Sequence, residues 1–196
     1  MRRLFTLLVL VAAFFAGGYV FTTRGNNNIA PTTTTTVEST TSSTTSSTTS
    51  STTQPSASAC VSDLLNSTVS PTGGGLGNAT FQISLQNTGA APCTLKGFVG
   101  VRLFDASGAL LPTTVVNSTS GFADPAANHA PTLVTLAIGG KAFASGIYPT
   151  VPAGSERTCA IAASMTIGVP QSAPITVPTT MSPCNHGLIR LSPLFS

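Results

Sequence analysis

The segment ATFQISLQNTG, residues 79–89, decides how this chain is read. Phe81, Ile83 and Leu85 fall on one side of an extended backbone and Gln82, Ser84 and Gln86 on the other, because successive side chains of a strand point to opposite faces. Such alternation predicts a half-buried strand. The same period recurs downstream. GFVGVRLFDASG, residues 97–108, sets Val99, Val101 and Leu103 in one phase and closes on Asp105-Ala-Ser-Gly108, with Asp first and Gly fourth as a type I turn prefers. Val134, Leu136 and Ile138 alternate into Gly139-Gly140, whose tolerance of positive φ predicts a tight hairpin with Ala142–Tyr148 as the returning strand. Ile161, Ala163, Met165, Ile167 and Val169 share a further phase, followed by Ile175–Val177 and Leu188–Leu191. No segment after residue 60 carries a sustained 3.6-residue apolar stripe with caps. About seven or eight strands with frequent turn signals predict an all-β sandwich over residues 60–196.

Composition narrows what such a domain can do. Of 196 residues only 7% are charged, against about 25% in an average protein. The net charge is +3, and Arg2, Arg3 and Arg24 all lie in the N-terminal segment. From Cys60 onward Lys96, Arg102, Lys141, Arg157 and Arg190 face Asp63, Asp105, Asp124 and Glu156. That near-balance offers no clustered basic surface, so nucleic acid is not an expected partner.

The first 24 residues, MRRLFTLLVLVAAFFAGGYVFTTR, hold no charge between Arg3 and Arg24. Twenty helical residues span about 30 Å, the thickness of a bilayer's hydrocarbon core. The run exceeds the usual signal-peptide core of about 7–15 residues, and its small residues Ala16-Gly17-Gly18 are followed by bulky Tyr19, Val20 and Phe21. An uncleaved anchor over residues 1–24 is therefore expected, with the bilayer as partner; the alternative is a cleaved signal and a secreted product. Arg2 and Arg3 against the single Arg24 put the N-terminus in the cytoplasm and the rest of the chain outside the cell membrane. Residues 25–59 follow as a linker. From Thr32 to Thr53 all but Val37 and Glu38 are Ser or Thr, a composition that cannot offset the entropy of ordering. As a coil the linker would span about 30 Å, and its hydroxyls invite O-glycosylation.

Four cysteines, Cys60, Cys93, Cys159 and Cys184, fall in the exported part. An even count in an oxidising compartment predicts two disulfides, with three pairings open. Pairing neighbours in sequence would close loops of about 33 and 25 residues, each stabilising by up to ~3.5 kcal/mol on the chain-entropy model. No C-x-x-C pair is present to suggest a zinc site.

The run NTGAAPCTLKGFVGVRLFDASG, Asn87–Gly108, resembles the signature of an actinobacterial envelope family, domain of unknown function 4232. An opening Cys60, a glycine-rich stretch before the first long strand, the late pair Cys159 and Cys184, and a closing strand ending in Ser192-Pro193 extend the resemblance over residues 60–196. The resemblance implies an exported immunoglobulin-like β-sandwich with Cys60 joined to Cys93 and Cys159 to Cys184. Two features depart from the family pattern: the lipid-bearing cysteine is missing, and the usual L-x-P-G-G turn reads Leu136-Ala-Ile-Gly-Gly140. The family implies no activity.

Chemistry has few candidates. His129 and His186, with Asp124 or a methionine, could form a metal site if their loops met, but neither has a second ligand at strand or helix spacing, so both are read as loop residues. No G-x-S-x-G elbow and no S-x-x-K with Lys-Thr-Gly appears. Asp105 is better explained as a turn starter than as a glycosidase acid, and Glu156 beside Arg157 as an exposed loop pair. Gly73-Gly-Gly75 is read as a flexible connection, without the Gly-Lys-Ser/Thr ending of a phosphate cradle. Sequons begin at Asn66, Asn78 and Asn117. Without Trp, and with Tyr148 the one Tyr past the N-terminal run, a sugar-stacking platform is poorly supplied; whether Phe122 and Phe143 are surface or core stays open. No catalytic, cofactor-binding or metal-binding residue is assigned. The expectation is a non-catalytic binding or structural component of the cell envelope with a protein or glycan partner; the alternative is a hydrolase or metal carrier with a loop-built site.

Overall fold

The alternation at residues 79–89 becomes the centre of a ladder. In a computed structural model of the chain, which describes residues 57–196, Asn78–Asn87 is a strand whose Phe81, Ile83 and Leu85 are buried. The anchor expected over 1–24 and the linker expected over 25–59, as far as residue 56, lie outside the described residues; the last two residues of that linker, Ser58–Ala59, form a short strand. Among the described residues no helix is long and apolar enough to cross a membrane.

The described chain is all-β, with eleven strands where the sequence predicted seven or eight: β1 (Ser58–Ala59), β2 (Leu65–Gly75), β3 (Asn78–Asn87), β4 (Cys93–Lys96), β5 (Gly100–Phe104), β6 (Thr114–Asn117), β7 (Leu133–Leu136), β8 (Lys141–Pro149), β9 (Ala162–Gly168), β10 (Ile175–Met181) and β11 (Leu188–Leu191). They form a five-stranded sheet in the order β2-β3-β8-β11-β6 and two three-stranded sheets, β10-β9-β5 and β1-β4-β7. Strands β1, β4 and β6, two to four residues long, are additional to those the alternation predicted. Strand β2 is additional as well. Only Leu65 of β2 is buried, since it lies at the sheet edge and has no apolar face to alternate. Its Gly73-Gly74-Gly75, expected as a flexible connection, pairs with Thr80, Ala79 and Asn78 of β3.

The three sheets share one core. Phe81, Ile83 and Leu85 meet Leu95, Val101, Leu103, Leu136, Met165, Ile167, Ile189 and Leu191 there, each such side chain contributing about 1.5–3 kcal/mol by leaving water. The inward face of β8 is built from small residues, Ala142, Ala144 and Gly146. A Cβ on Gly146 would lie 2.2 Å from the Phe81 ring, so the glycine makes room for that ring. Val99, Val101 and Leu103 are all buried as their phase predicts. The phase of 161–169 slips instead. Ile161 lies just before β9 and is exposed while Ala162, its first residue, is fully buried; opposite this start the register with β10 shifts between Pro178 and Met181.

The expected hairpin at Gly139-Gly140 is a turn of another kind. Gly140 N–H donates to the Ala137 carbonyl at 2.9 Å, and Gly139 takes φ +74°. Its two arms, however, enter different sheets, β7 pairing with β4 and β8 with β3, and Ile138 is exposed at the tip. Asn87 explains the divergence. Its backbone N–H donates to Gly140 and its carbonyl accepts from Gly139, while its buried amide Nδ2 donates to the carbonyls of Ala91, Leu136 and Ala137. Its Oδ1 accepts from Gly89 N–H. The turn is thus held by β3 rather than by its own flanks.

Disulfides join Cys60 to Cys93 and Cys159 to Cys184. The first ties the entry of the chain to β4; the second ties the segment before β9 to a single helical turn, α1 (Cys184–Gly187), which leads into β11. Both disulfides and the whole core lie within the compact unit Ser51–Ser196, which accordingly carries what it needs to fold.

Two outcomes are expected. Asn87→Ala removes the Nδ2 donor from the Ala91 and Leu136 carbonyls and the acceptor from Gly89 N–H, and should cost about 2–4 kcal/mol of unfolding free energy, read as a lower urea midpoint at unchanged slope; a loss below about 1 kcal/mol would contradict the clasp. The Asp105 carboxyl is held below the usual carboxylate range chiefly by the Ser107 hydroxyl, then by Ala109 N–H. A depressed folded-state pKa stabilises at pH above the unfolded value and is lost as pH falls through the folded one. Asp105→Ala should therefore flatten the acid limb of the stability curve below about pH 4, measured by urea melts across pH.

Candidate functional site

The outer face of the five-stranded sheet carries the most developed surface. In β11, Ile189 and Leu191 point into the core and Leu188 and Arg190 point out. Register places Thr80 opposite Ile147, Ile147 opposite Arg190, and Arg190 opposite Val116, one row across four strands. The segment after β6 folds back over this row. Asp124 Oδ1 accepts from Ala126 N–H and starts a 3-10 turn, Pro125–Ala127. Asn128 then knots the loop, accepting from Phe122 N–H and donating to the carbonyls of Phe122 and Asp124, each at 2.9 Å. Phe122, Ala127 and Phe195 are buried on this face, with Phe143 and Ile147 packed against them. Phe122 and Phe143 thus belong to a second, small apolar cluster.

Arg190 lies at the edge of that cluster. Its guanidinium carbon sits 5.4 Å from the centre of the Phe122 ring, and Nη2 donates to the Gly121 carbonyl at 2.8 Å. Gly121 takes φ +83°, and a Cβ there would lie 3.0 Å from Nη2, so the approach suits glycine. Nε of Arg190 is buried with no hydrogen-bond partner. A cleft of about 700 Å³ opens beside it, walled by Leu76, Val116, Ile147, Pro149 and Leu188. Among the described residues no acidic one lines it. A smaller cleft of about 370 Å³ lies on the other side of the loop, with Asp124 on its rim.

The residues that the sequence offered for chemistry sit elsewhere. His129 ends the loop, its Nδ1 against the Ala130 carbonyl, and His186 is exposed in α1. Among the described residues the one cluster of three potential ligands is Glu156, Cys159 and Cys184, and it contains neither histidine. Its two sulfurs are bonded to each other, which removes the thiolates a metal would need. Glu156 has a structural task instead. Its carboxylate accepts from Asn185 N–H at 2.6 Å and His186 N–H at 3.3 Å, pinning two residues whose φ values of +54° and +58° lie in the left-handed region. Asp105 and Asp124 are both engaged with neighbouring backbone N–H groups, as turn starters are. Asn66, Asn78 and Asn117 are exposed.

The family model described as "Domain of unknown function (DUF4232)" matches residues 60–194. This chain belongs to that family. No curated protein and no solved structure matches the chain. The resemblance seen in Asn87–Gly108 is thereby shown, and the clasp residue Asn87 and both disulfides of this DUF4232 domain fall inside the matched span. Arg190 also lies within it. Sequence reasoning passed over Arg190 because a lone Arg at an outward position of a strand is the ordinary way to keep a sheet face soluble; only the return of Phe122 across the sheet distinguishes it.

Replacing Glu156 by Ala should leave the amides of Asn185 and His186 without an acceptor. Their hydrogen exchange should quicken and stability should fall by about 1–2 kcal/mol, with Glu156→Gln intermediate. Unchanged exchange at both amides would remove the role given to Glu156.

Proposed function

We propose that this DUF4232 chain is a membrane-tethered, extracytoplasmic binding module of the cell envelope: an immunoglobulin-like sandwich, held outside by its N-terminal segment and Ser/Thr-rich linker, that receives a ligand in the cleft beside Arg190. The observation that carries this reading is the pairing of two disulfides with a domain of very few charges. Disulfides persist in oxidising surroundings, and a fold with few ion pairs gains from cross-links that restrict its unfolded chain. The apolar run from Leu4 to Thr23 supplies a membrane partner, and the linker supplies reach. Recognition rather than turnover fits the outer face, where among the described residues the one charged side chain lining the cleft beside β11 is a guanidinium, a group that remains protonated and so makes a good anchor and a poor general acid or base.

Full-length chain produced in a bacterium should sediment with membranes, and protease added to intact cells should remove its C-terminal domain. Alkylation under denaturing, non-reducing conditions should find no free thiol among the four cysteines. Recovery from the cytosol with reactive thiols would falsify the proposal. Recovery from the medium, starting after the apolar run, would replace the tether by secretion.

A further inference from the structure

We infer that the cleft above β11 binds an anionic amphiphile, a small ligand with one carboxylate or phosphate group on an apolar chain. The inference rests on reading the domain as a binding module and names what it binds. Among the described residues Arg190 is the one charged residue lining the cleft. Its guanidinium is oriented before any ligand arrives, by the Gly121 carbonyl on Nη2 and the Phe122 ring against its face. With Nε buried and unpartnered and no acid in the lining among the described residues, this cation is partly withdrawn from water with no counterion among them. Such a charge is stabilised by an opposite one, and the guanidinium fork matches carboxylate and phosphate oxygens. A single cation calls for a single anionic group.

The walls define the remainder of the ligand. Leu76, Val116, Ile147, Pro149 and Leu188 present alkyl surface, and about 700 Å³ is within the range of small-molecule sites. The floor is the face of a sheet whose row Thr80, Ile147, Arg190 and Val116 belongs to paired strands. Thr80, Ile147 and Arg190 lie on interior strands whose backbone is paired on both sides, and only β6, with Val116, is an edge, so an extended peptide lying on that floor would find few free backbone groups to join. An alkyl chain needs none.

Leu76 supplies an independent sign. Gly75 pairs with Asn78, leaving Leu76 at φ +51° and Gly77 at φ +78° as the two turn residues. A two-residue turn of this kind favours Asn or Gly at both positions, and a left-handed leucine costs about 1–2 kcal/mol. Its side chain is also wholly exposed, at 104%. Leu76 thus works against the hairpin in backbone and in hydration, yet it stands on the rim of the Arg190 cleft, where an alkyl chain would cover it. The cleft of about 600 Å³ on the β10-β9-β5 sheet is lined by Arg102, whose side chain is exposed and lacks the carbonyl and ring that hold Arg190.

Decanoate, decyl phosphate and decanol titrated calorimetrically into disulfide-bonded Ser51–Ser196, below their aggregation concentrations, test this. Both anions should bind at least about tenfold more tightly than decanol, the worth of one charge-assisted pair. Tighter decanoate indicates a fatty-acid source and tighter decyl phosphate a phospholipid one. Arg190→Gln should remove the preference for the anions. Val116→Glu, which sets a carboxylate opposite Arg190 on an exposed strand, should weaken both anions by about tenfold while the melting temperature holds. Leu76→Asn should keep or raise the melting temperature yet weaken decanoate several-fold. Equal affinity for decanol and decanoate, or unchanged decanoate binding in a folded Val116→Glu variant, overturns the inference. So does the absence of anion binding by the folded domain; with thiols oxidised and the domain found outside the cell, that result would leave the proposed display standing and remove this ligand class alone.

Discussion

The arrangement of this domain depends on one buried amide. Asn87 ends the ladder that begins at Asn78 and, from that single position, holds the turn through which the chain leaves one sheet for another. An ordinary hairpin would pair β7 with β8 and build one continuous meander. Here the carbonyls of Leu136 and Ala137, at the end of β7, accept from the Asn87 amide of β3, while β7 pairs with β4 beside the Cys60–Cys93 disulfide. A buried amide with this many partners is stable in only one registry, because each neighbour left unpaired carries its own desolvation cost. The core is apolar and could tolerate small slips; the clasp could not.

What could be read in advance follows from which residues face inward. Strands β3, β5, β8 and much of β9 bury every second side chain, so their alternation was visible, and so was the all-β class. Strand β2 buries one residue of eleven, and its pairing is specified by β3 rather than by its own Thr, Pro and Gly side chains. The Gly139-Gly140 turn was visible too, but not the partner of each arm, since that depends on an Asn fifty residues earlier whose side chain is locally indistinguishable from any turn Asn. The exposure of Ile161 and the burial of Ala162 follow from β9 starting between them, a boundary that apolar alternation does not mark.

The candidate site was less legible than the fold for a related reason. The histidines and acids drew attention because they are rare, yet rarity of a residue type says nothing of its neighbours. Glu156 serves two left-handed backbone positions, and Asp105 and Asp124 start turns. Arg190 gains its standing from Phe122 and Gly121, about seventy residues earlier along the chain and brought over β11 by a loop that Asn128 ties together. Only the folded loop reveals that this Arg has a ring beneath it and a carbonyl beside it.

The two halves of the outer sheet face show how the fold both stabilises itself and leaves a site open. Over Phe143 the face is closed by Phe195, whose ring centre lies 5.9 Å away and whose backbone N–H and carbonyl bridge to Phe143, so apolar surface there is covered by the chain's own end. Over Val116 and Leu188 nothing in the described residues performs that service, and Leu76 rises beside them in a conformation that a leucine takes at a cost. A sheet face built for stability alone would have ended both halves alike. The asymmetry, with a fixed guanidinium at the boundary between covered and uncovered apolar surface, is the physical ground for assigning the open half to a ligand that is itself part charge and part alkyl chain.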